Sequence, residues 1–191
     1  APVFRARRPP RRAATATAPA PVRIVDDATG DAPFDGEGVP TRRIVLLDAG
    51  EWTGRLEDLR SAKRSGRSPT GHGVRVSYRT PPRAAPRRIF FEASETSPAS
   101  ALLARVKRGL FASAVTAPVR VDVERDRYEI EFTGISVVNG RAQGEVGGVR
   151  SSGRVTELLR RIAGAAEDRQ FFALPFLVGS PTLLVDRASF E

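Results

Sequence analysis

The residue types that carry out most enzymatic chemistry are scarce in this sequence. Its 191 residues contain one histidine, His72, no cysteine, and 22 aspartates and glutamates. A structural zinc site takes four cysteine or histidine ligands and a catalytic one about three protein ligands, so His72 cannot build either. A serine nucleophile would also depend on His72, and no G-x-S-x-G turn exposes such a serine. We therefore predict no catalytic and no metal-binding residue here, although a site made only of carboxylates stays open.

An acidic segment rich in glycine is the first candidate site. Glycine permits positive φ angles and close approach of another backbone, and proline stiffens the exit of a loop. The segment is either a structural turn that joins two strands or a loop that contacts a substrate or a partner. The carboxylates are a weak signal for a hard cation, because the EF-hand pattern is missing. The candidate contacts are Asp35, Glu37, Thr41 and Arg42.

The second candidate site surrounds the single histidine. His72 lies between Gly71 and Gly73, and these neighbours predict an exposed loop histidine that a peptide can approach. Arg75 and Tyr78 follow on a predicted strand, where their odd separation places the two side chains on opposite faces. At most one of them can therefore face a groove beside His72. A free strand edge at this place would bind an extended peptide through main-chain hydrogen bonds.

The net charge of +9 makes a nucleic acid the competing partner. Residues 1–21 contain five arginines and no acidic residue, which leaves +4 for the rest of the chain. This segment, rich in Pro, Arg and Ala, has too few large apolar side chains to form a core, so we predict a disordered arm that tethers a neighbour or contacts phosphate. Beyond residue 21 the charges are mixed in sign, as on a solvated surface, and no nucleic-acid-binding motif is evident. A basic nucleic-acid-binding or regulatory module is therefore the second hypothesis.

The elements that position these residues are predicted to form one α+β domain over residues 22–191, β-rich, with a mostly antiparallel or barrel-like sheet and about three short helices. Helices are predicted from Thr53 to Gly66, from Ser97 to Gly109 and from Val155 to Gly164. Asn139-Gly140 is typical of a two-residue hairpin turn. Strands are predicted over 22–26, 43–48, 74–78, 88–92, 111–115, 119–124, 128–138, 143–149, 171–178 and 182–186.

No apolar run in the sequence is long enough to span a membrane, and the lack of cysteine fits a protein of the cytoplasm.

Three stretches are more particular than secondary structure requires. Each joins glycine, proline and threonine in a fixed order beside an apolar strand. They are Asp35-Gly36-Glu37-Gly38-Val39-Pro40-Thr41-Arg42-Arg43, then Ser68-Pro69-Thr70-Gly71-His72-Gly73-Val74-Arg75 with Ser77-Tyr78, and finally Gly179-Ser180-Pro181-Thr182-Leu183.

In this order the three stretches resemble the C-terminal domain of the TldD/PmbA family. The family pattern includes D-x-E-G-x-P-T-x-R before a strand, T-G-x-x-x-R before S-Y and prolines, and G-x-P-T-L near the end. The resemblance covers roughly residues 22–190 and implies a role in proteolysis.

The resemblance also implies which kind of subunit this is. TldD-type subunits bind zinc with an H-E-x-x-x-H helix and a later cysteine, whereas PmbA-type subunits, also called TldE, lack these ligands and pair with the TldD type. This chain has neither the helix motif nor a cysteine, so it resembles the TldE type. The resemblance implies a chain that is not catalytic alone and holds no cofactor, with zinc on a TldD-like partner. The substrates of such a cytoplasmic pair would be peptides or unfolded proteins.

Overall fold

The computed structural model describes residues 22–173 and 176–191, and the predicted arm over 1–21 lies outside them. The described residues form fourteen strands and three helices. In chain order these are β1 Val22–Asp27, β2 Arg43–Asp48, β3 Glu51–Trp52, α1 Leu59–Ser65, β4 Gly73–Val74, β5 Arg83–Ala84, β6 Arg88–Ala93, α2 Ala99–Ala104, β7 Arg108–Val115, β8 Arg120–Asp122, β9 Arg127–Val138, β10 Arg141–Gly153, α3 Val155–Arg160, β11 Ile162–Ala165, β12 Gln170–Ala173, β13 Leu177–Ser180 and β14 Leu183–Val185.

A six-stranded sheet in the order β12-β13-β6-β1-β2-β3 contains the central strands. β1 pairs antiparallel with β2 and β6, and β13 lies parallel to β6. Between Ile24 and Val25 the register of β1 against β2 shifts because Leu46 on β2 has no opposite residue, whereas the pairing of β1 with β6 is unbroken. Val25 and Asp26 are both fully buried although they are neighbours in the sequence, so both faces of β1 are covered at this point.

A second sheet has the order β10-β9-β7, and β8 pairs with β9 beyond the end of β7. The hairpin between β9 and β10 turns at Asn139 and Gly140, whose φ angles are 49° and 72°. Two successive positive φ angles are what a two-residue hairpin turn requires, so the sequence prediction is confirmed here. The turn packs closely against Ala104 at the end of α2.

The helices are shorter than the sequence pattern predicts. The N–H groups of Thr53 and Gly54 donate to the carbonyl of Leu46, so the chain stays extended there and α1 begins after Asp58. Asp58 and Ser61 form a capping box, and Gly66 ends the helix with a φ of 68°.

The other two helices end early because their following residues join sheets. The carbonyls of Val106 and Lys107 accept the N–H groups of the hairpin turn at residues 139–140, and Arg108 begins β7. Ile162, which falls within the predicted span of the third helix, lies in β11 and pairs with β14.

The α+β class, the strand-rich composition and the mostly antiparallel pairing are confirmed. The sheets do not close into a barrel within the described residues. The predicted strand over 171–178 is two antiparallel strands, β12 and β13, and the predicted strand over 74–78 ends at Val74. Among the described helices none is long and apolar enough to cross a membrane.

Candidate functional site

The carboxylate of Asp35 ties one loop to the strand that follows a second loop. The acidic loop (residues 28–42) joins β1 to β2, and the histidine loop (residues 66–72) leads from α1 into β4. Oδ1 of Asp35 accepts the N–H groups of Glu37 and Val39, both at 2.9 Å, and Oδ2 accepts the N–H of Gly73 at 2.8 Å. The N–H of Gly36 donates in return to the Gly73 carbonyl at 2.8 Å. The acidic loop is therefore fixed to the start of β4.

Glu37 and Thr41 also bind main-chain groups of the protein itself. Oε2 of Glu37 accepts the N–H of Leu59 at 2.8 Å, which is one of the donors that the first turn of a helix leaves unpaired. The Thr41 hydroxyl donates to the carbonyl of Ala32 at 2.7 Å. No cluster of three or more His, Cys, Asp or Glu side chains suited to a metal ion occurs in the described part of the chain. The carboxylates of the acidic loop hold the two loops in place.

His72 is fully buried, so the prediction of an exposed histidine is wrong. Its Nδ1 lies 2.9 Å from the carbonyl oxygen of Thr70, and because a carbonyl only accepts, Nδ1 carries the hydrogen. Its Nε2 lies 3.4 Å from Oδ1 of Asp26. The histidine turns inward because Gly71, with a φ of 74°, packs directly on the backbone of Pro40 and Thr41.

Asp26 is the residue of this site that the sequence analysis missed. It is fully buried on β1, and its carboxylate accepts the N–H groups of Arg87 at 3.1 Å and Arg88 at 3.2 Å. It therefore fixes the start of β6 to the central strand β1, and its Oδ1 faces the buried ring of His72. The sequence did contain a signal for Asp26, because an aspartate there follows three apolar residues and an arginine in β1. Strand alternation alone, however, does not identify the groups that this carboxylate binds.

An open groove of about 360 Å³ lies against these loops. Phe34, 56% exposed, supplies an aromatic surface. Two guanidinium groups also line the groove: Arg75 donates to the Thr80 carbonyl at 3.3 Å, and Nε of Arg87 lies 3.8 Å from Oδ2 of Asp31. Both contacts are long, so the two cations retain capacity for an anionic or carbonyl ligand. The lining residues are Asp31, Phe34, Gly36, Gly73, Val74, Arg75, Pro86, Arg87 and Phe176.

The seven predicted contact residues have different positions in the structure. Asp35, Glu37, Thr41 and His72 bind main-chain groups, and Arg75 alone among the seven lines the groove. Arg42 is exposed outside it. Tyr78 is 79% exposed in a loop beyond β4, where the guanidinium of Arg79 lies 5.1 Å from its ring centre.

The third motif is fixed by Asp168. Its carboxylate accepts the N–H of Thr182 at 2.8 Å and the Thr182 hydroxyl at 2.6 Å. The hydrogen bond from the Thr182 hydroxyl has the larger effect, and together the two bonds hold the pKa of Asp168 below its usual value. Next to it, Gly179 leaves room for the edge-to-face pair Phe90 and Phe171, whose ring centres are 5.9 Å apart. All three motifs therefore position backbone segments around the same sheet.

Comparisons with known proteins agree with this arrangement. Residues 12–191 match the family described as the PmbA/TldA metallopeptidase C-terminal domain. The chain is 27% identical over 180 residues to a metalloprotease TldD homolog of Haemophilus influenzae, covering 85% of this chain and 37% of that protein. It is 32% identical over 99 residues to a metalloprotease of Synechocystis, covering 49% of this chain and 21% of the relative.

The fold matches a solved structure as well. TldE from Thermococcus kodakarensis superposes with a TM-score of 0.78 at 19% identity, covering 89% of this chain and 39% of that one. The chain thus spans less than two fifths of the length of these relatives.

Proposed function

The chain belongs to the family of PmbA/TldA metallopeptidase C-terminal domains, and we propose that it is a zinc-free, non-catalytic TldE-like component of a TldD-type protease system. The observation that carries the proposal is the position of His72. It is the only imidazole in the sequence, and both of its ring nitrogens face protein groups in a fully buried site. A zinc ligand or a general base must reach a metal or a substrate, and the burial of His72 among protein groups supports a structural role for it instead.

In this proposal the peptide bond is cleaved on a TldD-like partner. A zinc ion held by that partner would supply the Lewis-acid chemistry for hydrolysis of the peptide bond. The residues of this chain bind and orient the substrate, and none of them supplies a reacting atom. Residence in the cytoplasm belongs to the same proposal.

The groove beside the acidic loop is where we propose that a peptide or an unfolded segment binds. Phe34 offers a flat apolar surface, and Arg75 and Arg87 offer donors on the same groove. Guanidinium groups bind carboxylates and carbonyl oxygens through several directed N–H groups. The groove therefore suits an extended peptide with an acidic or carboxylate group next to an apolar side chain.

The first test concerns the metal and the activity. We expect the purified 191-residue chain to hold no stoichiometric zinc after dialysis against zinc, measured by plasma mass spectrometry, and to cleave no casein or peptide. Peptidase activity should appear when a TldD-type subunit from the same source is added and should be lost with a chelator. Chelator-sensitive activity of the chain alone would contradict the proposal.

The second test concerns the groove. Arg75→Ala should weaken the binding of a fluorescein-labelled acidic peptide with an aromatic residue by roughly tenfold, since one charge-assisted hydrogen bond contributes about 1.5 kcal/mol. Arg64→Ala, an exposed arginine on α1, is the matched control and should leave the Kd unchanged in fluorescence anisotropy. Equal effects of both substitutions would indicate charge attraction without a defined site.

A further inference from the structure

The charges beyond residue 21 are mixed overall, but they are segregated along the chain. Residues 59–91 contain nine basic residues and no acidic one, whereas residues 22–58 hold four basic and nine acidic residues and residues 92–191 hold thirteen of each. Seven of these nine basic side chains are exposed, and none of the seven forms an ion pair with a described residue. They are Arg60, Lys63, Arg64, Arg67, Arg75, Arg79 and Arg83.

The seven cations belong to two elements that meet at Asp58. Arg60, Lys63 and Arg64 lie on α1, and their spacing of three and four residues places them on one side of the helix. Oδ2 of Asp58, which precedes the helix, accepts the N–H of Ala84 on β5 at 2.9 Å. The start of α1 therefore lies against the hairpin of β4 and β5, which carries the other cations apart from the one just after the helix. Residues 59–67 and 75–83 together are called the basic surface below.

The hairpin of the basic surface ends in an ordered apolar tip. Residues 75–81 are all exposed, and Val76 and Tyr78 are 91% and 79% exposed. The N–H of Thr80 donates to the carbonyl of Ser77 at 3.1 Å, and the Ser77 N–H donates to the Thr80 hydroxyl at 3.2 Å. Exposed apolar side chains rimmed by charge are typical of an interaction site.

We propose that the basic surface binds an anionic lipid bilayer, with Val76 and Tyr78 inserted among the headgroups. Clustered arginines and lysines attract anionic headgroups, and each cation adds to the binding when it lies close to the membrane. Tyrosine suits the boundary between lipid and water because its ring is apolar and its hydroxyl is polar. Binding of this kind takes place at one face of the membrane and requires no helix that crosses it.

The tip is what selects a lipid surface over other anionic partners. The guanidinium of Arg79 lies 5.1 Å from the centre of the Tyr78 ring, and Val76 has no aromatic face, so the tip offers little for the stacking of nucleic-acid bases. A protein partner would need a cavity shaped for the protruding tip, whereas fluid headgroups can move apart around it. The inference goes beyond the proposed function and does not depend on it.

Co-sedimentation of the full chain with lipid vesicles tests the attraction. We expect binding to phosphatidylcholine vesicles that contain about one third phosphatidylserine, and little binding to phosphatidylcholine alone. Arg60→Glu and Arg83→Glu should each lower the partition coefficient at least about fivefold, the factor that one cation contributes near such a surface. Arg141→Glu, at an exposed arginine of β10, is the matched control for net charge and should bind like wild type.

Fluorescence from the tip tests insertion separately from attraction. Trp52 is the only tryptophan in the sequence, so Tyr78→Trp in a Trp52→Phe background places a single reporter at the tip. Its emission should shift to the blue when vesicles containing phosphatidylserine are added. Val76→Ser should lower the partition coefficient by about threefold, because it removes apolar surface from the inserted tip.

Several outcomes would overturn the proposal. They are a wild type without preference for phosphatidylserine, an effect of Arg141→Glu as large as those of Arg60→Glu and Arg83→Glu, and a vesicle-bound tip reporter whose emission does not shift. If Arg60→Glu and Arg83→Glu weaken binding to DNA and leave vesicle binding unchanged, the basic surface serves a nucleic acid and the proposal is wrong.

Discussion

At the scale of single residues, aspartate is the side chain that fixes this fold. Each such aspartate binds main-chain N–H groups of a segment distant in sequence, and a carboxylate can accept several such bonds at once. Five carboxylates share the task, namely Asp26, Asp35, Asp58, Asp126 and Asp168.

Asp58 gives the clearest pH prediction. Burial acts to raise its pKa, but the hydrogen bonds from Ser61 and from the Ala84 N–H outweigh burial and hold the pKa below the usual 3.8. A carboxyl group with a lowered folded pKa stabilises the protein above its unfolded pKa, and the stabilisation is lost as pH falls through the folded pKa. Asp58→Asn keeps one oxygen to cap the helix but loses the acceptor of the Ala84 N–H. It should therefore cost about 1 kcal/mol at neutral pH, and its difference from wild type should shrink below about pH 3.8.

Thermal unfolding followed by circular dichroism at a series of pH values checks this prediction. Asp186→Asn, at an exposed carboxylate without a side-chain hydrogen bond among the described residues, should follow wild type at every pH. A constant difference between Asp58→Asn and wild type down to pH 2 would contradict the assignment.

At the scale of elements, the site is made by two loops packed against each other. Gly71 and Gly66 both have positive φ angles, 74° and 68°, but they differ in their surroundings. A Cβ on Gly71 would overlap the carbonyl oxygen of Pro40 and lie 2.6 Å from Cα of Thr41, whereas a Cβ on Gly66 would meet nothing within 4 Å.

Substituting these two glycines by alanine distinguishes the energetic cost of backbone strain from the cost of steric overlap. Gly66→Ala should cost only the left-handed strain of about 1 to 2 kcal/mol, and Gly71→Ala should cost at least about 2 kcal/mol more because the loops must move apart. Urea unfolding measures both, and Gly71→Ala should also weaken peptide binding in the groove. Similar costs for the two substitutions would mean that the loop contact is loose.

Local signals predicted much of the sheet but little of the site. Alternation placed β1, a continuous apolar run placed β2, and Asn139-Gly140 placed the hairpin, because these signals depend on neighbours in the sequence. The role of Asp26 depends on the N–H of Arg87, 61 residues away from it, and the buried His72 faces Asp26 on a distant strand. No local pattern encodes such contacts. The two glycines beside His72 indicated freedom of the backbone, but that freedom lets the loop turn inward.

At the scale of the whole molecule, the charge is divided unevenly. Residues 1–21 hold +5 of the net +9 and lie outside the described residues, and outside the basic surface many arginines of the domain pair with acids. A protein that binds phosphates through cations loses affinity steeply as salt rises.

Deleting residues 1–21 tests the nucleic-acid hypothesis. We expect any binding of the full chain to duplex DNA at low salt to disappear with the deletion, because five arginines can contribute a salt slope of roughly −4.5. Binding of the acidic peptide should stay unchanged. Electrophoretic mobility shifts and anisotropy on the same preparations measure both. A truncated chain that still binds DNA would place a nucleic-acid surface on the domain itself.

The bonds of Asp26 have a consequence for how this protein can change during evolution. They go to the main-chain N–H groups of Arg87 and Arg88, which every residue except proline possesses. Position 87 can therefore exchange its side chain without releasing the segment that Asp26 holds. Because Arg87 also lines the groove, its replacement can alter which ligand the groove accepts while the anchoring aspartate stays constrained.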